Sequence, residues 1–233
     1  MRASIPLLLF VVLPYASVLL FAVGAIERYR RHPSSVTSLS SQFLERRGHF
    51  WALMPFHVGI LAVLAAHLFW FAAPGVTQLW NESVTRLQVV EIAALGFGVT
   101  ALGGYVAAGV RRSADARLRR VTTPADWMVY ALLLTQIALG ILVAVRHSWG
   151  SAWFASIASP YLWSLIRLNP DITAVAALPH LVQAHIAAAW LLLAIFPFSR
   201  LVHVLSVPNP YLWRPPQVVR WRRGTAVITG DRS

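Results

Sequence analysis

The sequence predicts an all-α integral membrane protein of five transmembrane helices, with the N-terminus outside and the C-terminus in the cytoplasm. Three observations carry this. First, 58% of the 233 residues are hydrophobic and only 12% are charged. Distributed in several runs of about 20 apolar residues, that balance belongs to a membrane protein and not to a soluble core. Second, all 20 basic residues are arginine, and they gather in alternate connections between the apolar runs. Third, basic connections face the cytoplasm, so the alternation itself orients the chain. The net charge of +12 is loop charge at a membrane, and nothing resembles a nucleic-acid module. Cysteine is absent, which excludes disulfides, thiolate metal sites and iron–sulfur clusters held by this chain.

The elements follow in order. Ile5 to Ile26 carries no charge and is long enough to span. Only Arg2 precedes it while Arg28, Arg30 and Arg31 follow, the reverse of a signal peptide, so an uncleaved first helix is expected. Pro14 should kink it mildly or rest on a neighbour. The connection Glu27 to Phe50 holds five arginines. Trp51 to Ala73 forms the second helix, and the next connection, Pro74 to Gln88, has Arg86 as its one basic residue. Val89 to Val110 forms the third helix, where Gly96, Gly98, Gly103 and Gly104 allow close helix approach. Arg111 to Asp126 again holds five arginines, and Trp127 to Val145 forms the fourth helix. The connection Arg146 to Pro179 holds two arginines. Within it, His147 to Ile166 is uncharged, but Gly150, Pro160 and its serines favour an amphipathic segment at the interface, with Trp149 and Trp153 one turn apart, over a sixth span. The stretch from His180 to Pro208 supplies the fifth helix. Residues 1–213 form one membrane domain and 214–233 a basic cytoplasmic tail.

Four histidines lie inside apolar runs, where an ionisable group is costly and signals function. His57 and His67 share the second helix, His185 and His203 the fifth. Eighteen residues are five turns of an ideal helix, so His185 and His203 fall on one face about 27 Å apart. His57 and His67 are about 15 Å apart and about 80° out of phase, a mismatch left to helix tilt, tilted haem planes and the kink expected at Pro197. Because the two helices run in opposite directions, depth pairs His57 with His203 on the inner side and His67 with His185 on the outer side. Two such pairs suit axial ligation of two b haems between helices 2 and 5. A histidine-dependent proton or metal transporter is the competing class, although it would ordinarily bring carboxylates, cysteines or a methionine ladder. His32, His49 and His147 fall in loops or at helix ends. His180, the rival to His185, lies off the ligand face. Arg200, one turn before His203, either snorkels to the cytoplasmic surface or pairs with a haem propionate.

The segments SSQFLERRGH and FHVGILAVLAAH, then TTPADWMVYALLLTQIALG and HIAAAWLLLAIFPFSRLVHVLSVP, resemble the gamma subunit of respiratory nitrate reductase from about Pro14 to Tyr211. The resemblance implies a di-haem cytochrome b with five spans in the inner membrane. It also implies quinol oxidation near the outer haem, and electron delivery to an iron–sulfur (beta) subunit and then a molybdenum (alpha) subunit. The family's ligand positions are filled by His57, His67, His185 and His203. A basic residue at the place of Arg86, usually lysine, is associated there with the quinol site, and Glu91 or His67 is a candidate proton acceptor. The connection Arg146–Pro179 and the tail beyond Tyr211 match poorly. They leave open another redox partner, such as a sulfur-compound or heterodisulfide-type reductase or a nitrite oxidoreductase.

Overall fold

The computed structural model describes residues 4–31 and 47–201, with side chains from Leu53 onward in the second of these stretches. His203, His32 and the basic tail therefore lie outside the described residues, as does the side chain of His49. Five helices are long and apolar enough to cross a membrane: α1 (Ile5–Arg31), α2 (Arg47–Ala72, apolar from Leu53), α3 (Val84–Ala114), α4 (Pro124–Arg146) and α5 (His180–Ile195, continued by a 3-10 turn to Phe198). Among the described residues every regular element is helical. Large aliphatic side chains such as Leu19, Leu61, Ile92 and Val145 stand exposed on the outside, as lipid contact requires. The principal packing contacts join α1 to α5, α5 to α4, α4 to α3 and α3 to α2.

Prolines and their freed carbonyls shape the bundle. Pro14 has no N–H to give the Phe10 carbonyl four residues earlier. A π turn at Leu8–Val12 precedes it, and the Phe10 carbonyl accepts the Tyr161 hydroxyl at 3.0 Å instead. Pro14 is fully buried, so the expected contact with a neighbour is present. Pro197 acts more strongly than a kink. The α-helix ends at Ile195 and Ser199 is extended, with φ −112° and ψ 175°. Arg28 of α1 donates to the released carbonyls of Pro197 and Ser199, both at 2.7 Å. The five-turn spacing of His185 and His203 assumed an unbroken helix, and this break removes that basis.

The connection between α4 and α5 contains no helix long and apolar enough to cross a membrane, in line with the expectation against a sixth span. Short helical pieces Gly150–Trp153, Phe154–Ala158 and Ser159–Ile166 follow one another. They pack onto one end of the bundle as a plug. Tyr161 and Leu165 form a buried cluster with Phe10 and Val175. Tyr15 donates to the Leu165 carbonyl at 3.0 Å, Ser159 donates to the Phe71 carbonyl at 3.1 Å, and Trp163 stacks on Phe71. Burial pushes the Tyr161 phenol well above its ordinary pKa, which keeps it a hydroxyl donor. Trp149 opens the segment in the left-handed region, with φ 69°.

The glycine pattern of α3 plays a smaller part than expected. A Cβ at Gly96 or Gly103 would meet nothing within 4 Å. The close approach of α2 to α3 is made by Gly59, where a Cβ would sit 2.5 Å from the Phe97 carbonyl and 2.6 Å from the Ala101 nitrogen.

Candidate functional site

His57 and His67 are presented in the same way. On a helix a histidine can fold back to the carbonyl four residues earlier, and both do so: Nδ1 lies 2.8 Å from the Leu53 carbonyl in one case and 2.8 Å from the Val63 carbonyl in the other. A carbonyl can only accept, so each Nδ1 carries its proton and the in-plane lone pair of each ring is on Nε2. That is the tautomer a metal-ligating imidazole needs, fixed by the partner on the other nitrogen. Phe56 stands edge-on to His57, and Trp70 and Phe154 enclose His67 at centroid distances of 5.2 and 5.3 Å.

His185 comes from α5 and lies within electrostatic reach of His67. The two residues lie on α5 and α2, which are not among the principal packing pairs of the described residues. Gly140 of α4 makes room for the ring, because a Cβ there would stand 3.1 Å from Cε1 of His185. Nδ1 of His185 is buried without a hydrogen-bond partner. Its nearest polar neighbour is Gln136, whose amide nitrogen is 3.5 Å from Nε2. His180 is exposed at the first turn of α5, in keeping with the preference for His185. His203, assigned with His57, lies outside the described residues.

Among the described residues no three His, Cys, Asp or Glu side chains converge as a metal site. A bare zinc ion needs three or four protein ligands. A haem would bring its own four nitrogens and need fewer protein ligands, so half-buried imidazoles such as those of His57 and His67, each with its Nδ1 proton held by a carbonyl, fit that group. Gln136 and Gly140 escaped the sequence reading, since their meaning depends on which helix faces His185.

At the arginine-rich end of the bundle, Arg200 forms an ion pair with Asp126 at 2.9 Å and donates to the Val121 carbonyl at 3.0 Å. Asp126 also accepts from the Thr123 N–H at 2.9 Å, while the Thr123 hydroxyl accepts from the Asp126 N–H at 3.2 Å. With Pro124 at the first helical position, the TTPAD motif is thus a capping box that starts α4.

At the opposite end a cavity of about 450 Å³ lies between α2, the short helix Pro74–Asn81 and α3, lined by Val63, Ala66, Trp70, Trp80, Asn81 and Phe97 among others. Its wall is apolar except near Asn81. The Asn81 amide nitrogen donates to the Ser151 hydroxyl at 3.2 Å, and its Oδ1 is buried without a partner. Arg86 sits in the first turn of α3 and not at the end of a loop, because α3 begins at Val84. Its guanidinium donates to the Leu79 carbonyl at 3.2 Å and lies 5.4 Å from the Trp80 ring centre. Glu91 accepts from the N–H groups of Gly150 and Ser151 and from the Ser151 hydroxyl at 2.8–3.1 Å. It anchors the plug to α3.

Fold and site define a multi-pass membrane protein with half-buried histidines on helices distant in sequence. Residues 6–222 match the model of the nitrate reductase gamma subunit family, and the chain belongs to that family. It is 31% identical over 223 residues to the respiratory nitrate reductase 1 gamma chain of Escherichia coli, covering 91% of this chain and 96% of that one. It is 28% identical to the nitrate reductase gamma chain of Bacillus subtilis, covering 92% and 98%. A nitrate reductase-like protein of Mycobacterium tuberculosis is 31% identical, and the match spans 97% of this chain and 35% of that longer protein. The family match extends through the connection 146–179 and into the tail, beyond the limits the motifs alone drew. Membership makes the chain a membrane subunit of a respiratory nitrate reductase, an oxidoreductase complex.

Proposed function

We propose that the chain is the quinol-oxidising di-haem b subunit of an inner-membrane respiratory nitrate reductase, delivering electrons to iron–sulfur and molybdenum partner subunits. What supports the reading is membership of the family, together with His67, whose proton is held on Nδ1, and His185 within electrostatic reach of it. His67 and His185 hold the outer haem iron, and His57 with His203 the inner one. Haem b supplies one-electron acceptance without proton uptake. The chain's own residues fix the ligand tautomers, exclude water from the rings and separate the electron exit from the proton exit.

Quinol docks in the cavity beside α2. The lining is apolar, as a ring and isoprenoid tail require, and Asn81 provides a buried acceptor for a hydroxyl. Arg86 stands one layer behind and holds Trp80 in the wall. Arginine keeps its proton, so it orders the site and does not carry the proton. A visible spectrum of the purified chain tests the haem assignment: a b-type spectrum is expected, and a colourless chain overturns it in favour of a transporter. In Arg86→Ala both haems should remain reducible by a small soluble reductant. Their reduction by quinol should slow, because the Arg86 side chain that bonds the Leu79 carbonyl and holds Trp80 in the cavity wall is gone. Unchanged quinol kinetics would move the docking site elsewhere.

A further inference from the structure

The packing order of the spans leaves α1 and α2 as the two ends of an open series, for they are not among the principal packing pairs of the described residues. The plug is fastened to both. Tyr161 donates to the Phe10 carbonyl and Tyr15 to the Leu165 carbonyl, which ties it to α1. Ser159 and the Trp163 indole donate to the Phe71 carbonyl at 3.1 and 3.4 Å, which ties it to the last turn of α2, one turn beyond His67. At its start, Gly150 and Ser151 bring two N–H groups and a hydroxyl to Glu91 of α3. A Cβ at Gly150 would stand 3.3 Å from that carboxylate, so a bare backbone suits the latch.

Phe154 lies between the latch at Gly150 and Ser151 and the tie at Ser159, so its segment is held at both ends. The π turn it opens, Phe154–Ala158, packs on α2 and on the short helix Pro74–Asn81. Its ring meets that of His67 edge to face, with centroids 5.3 Å apart and planes at 86°, and lies 5.7 Å from that of Trp70. Its neighbours Ala152, Trp153 and Ser156 line an open hollow of about 590 Å³, together with Trp149, Gln78 and Glu82. One layer of this segment thus stands between the open hollow and the imidazole. Water beside a haem ligand matters, because ferric haem carries one more positive charge than ferrous haem and water stabilises the more charged form.

We propose that Phe154 is a positioning residue for the outer haem ligand: its ring covers the His67 imidazole and keeps the water of the hollow away from it. The inference rests on the proposed ligation of the outer haem by His67. It gives the plug a part in electron transfer, since an apolar cover holds the outer haem at a higher potential than a wet one.

The test is a redox titration of the intact complex in native membranes, with the outer haem assigned as the component missing in His185→Ala. Phe154→Ala should shift the outer ferric–ferrous equilibrium toward ferric by about tenfold, a fall of about 59 mV for one electron, with the inner haem unchanged. Phe154→Leu keeps an apolar cover and should titrate like the wild type. An unshifted or raised outer potential in Phe154→Ala, an equal shift of both haems, or the same fall in Phe154→Leu would overturn the proposal. If Phe154→Ala loses the outer haem, Phe154→Leu decides: an outer haem at the wild-type potential supports the cover, and loss or a fall overturns it. Absence of haem from the wild-type complex would instead sink the ligation reading, and the role of Phe154 with it.

Discussion

At the residue scale, the ligand pairs and the helix contacts each depend on single atoms. The pairing of His67 with His185 and of His57 with His203 follows from depth, since crossed pairs would have to meet from opposite membrane faces. Replacing His67 or His185 by alanine should therefore remove one and the same haem, and replacing His57 or His203 the other. Haem content per chain and titration of each variant check this. Loss of the same component in His57→Ala and His185→Ala would show the pairing to be wrong. Gly59 has a different kind of exactness. Its neighbours in α3 are main-chain atoms at 2.5 and 2.6 Å from where a Cβ would stand, and main chain cannot rotate away. Gly59→Val should cost about 1–3 kcal/mol or more, read as a lower temperature of haem loss in detergent, whereas Gly103→Ala, facing open space, should be near neutral. The histidines were legible in the sequence because an ionisable group in an apolar run is anomalous wherever it points. Gln136, Gly140 and Gly59 were not, because each owes its importance to an atom on another helix.

At the element scale, two prolines break helices and distant side chains repair them. Pro14 frees the carbonyl of Phe10, which takes the Tyr161 hydroxyl, and the break at Pro197 frees carbonyls that take Arg28. Removing the hydroxyl in Tyr161→Phe leaves the Phe10 carbonyl buried without a donor, so a loss of about 1–3 kcal/mol is expected. Pro14→Ala restores an N–H at position 14 and with it the intrahelical bond. In that background Tyr161→Phe should cost distinctly less, and a double-mutant cycle on thermal stability measures the difference. Equal costs in both backgrounds would mean that the hydroxyl contributes only by packing. That the prolines disturb their helices could be read from the sequence. Where the orphaned carbonyls find donors could not, since Tyr161 lies 151 residues from Phe10 and Arg28 lies 169 from Pro197. For the same reason the packing of the connection between α4 and α5 against α1 and α2 was not legible, because it depends on elements far away in sequence.

At the scale of the whole molecule, the five spans were legible because length and hydropathy are local properties. Their packing order, α1–α5–α4–α3–α2, was not, because it depends on which faces meet. Orientation is the remaining global property, and it decides on which side a redox partner docks. One end of the bundle carries Arg28, Arg30 and Arg31, Arg111 and Arg112, Arg117, Arg119 and Arg120, and Arg200. The other carries Arg86, Arg146 and Arg167. Moving the richer end across a membrane is opposed by the bias that retains arginine in the cytoplasm. At that end Arg200 and Asp126 tie the end of α5 to the start of α4. The opposite end carries the plug, the cavity and Arg86, where quinol protons would leave to the outside. Reporter fusions after Arg86, Arg117, Trp163 and Arg222 should accordingly read outside, inside, outside and inside. Reversal of all four signals would put the partner surface outside the cell and overturn the proposed direction of electron delivery. An external signal at Arg222 alone would instead mean that the chain recrosses the membrane after α4, with His147–Ile166 as the segment to test.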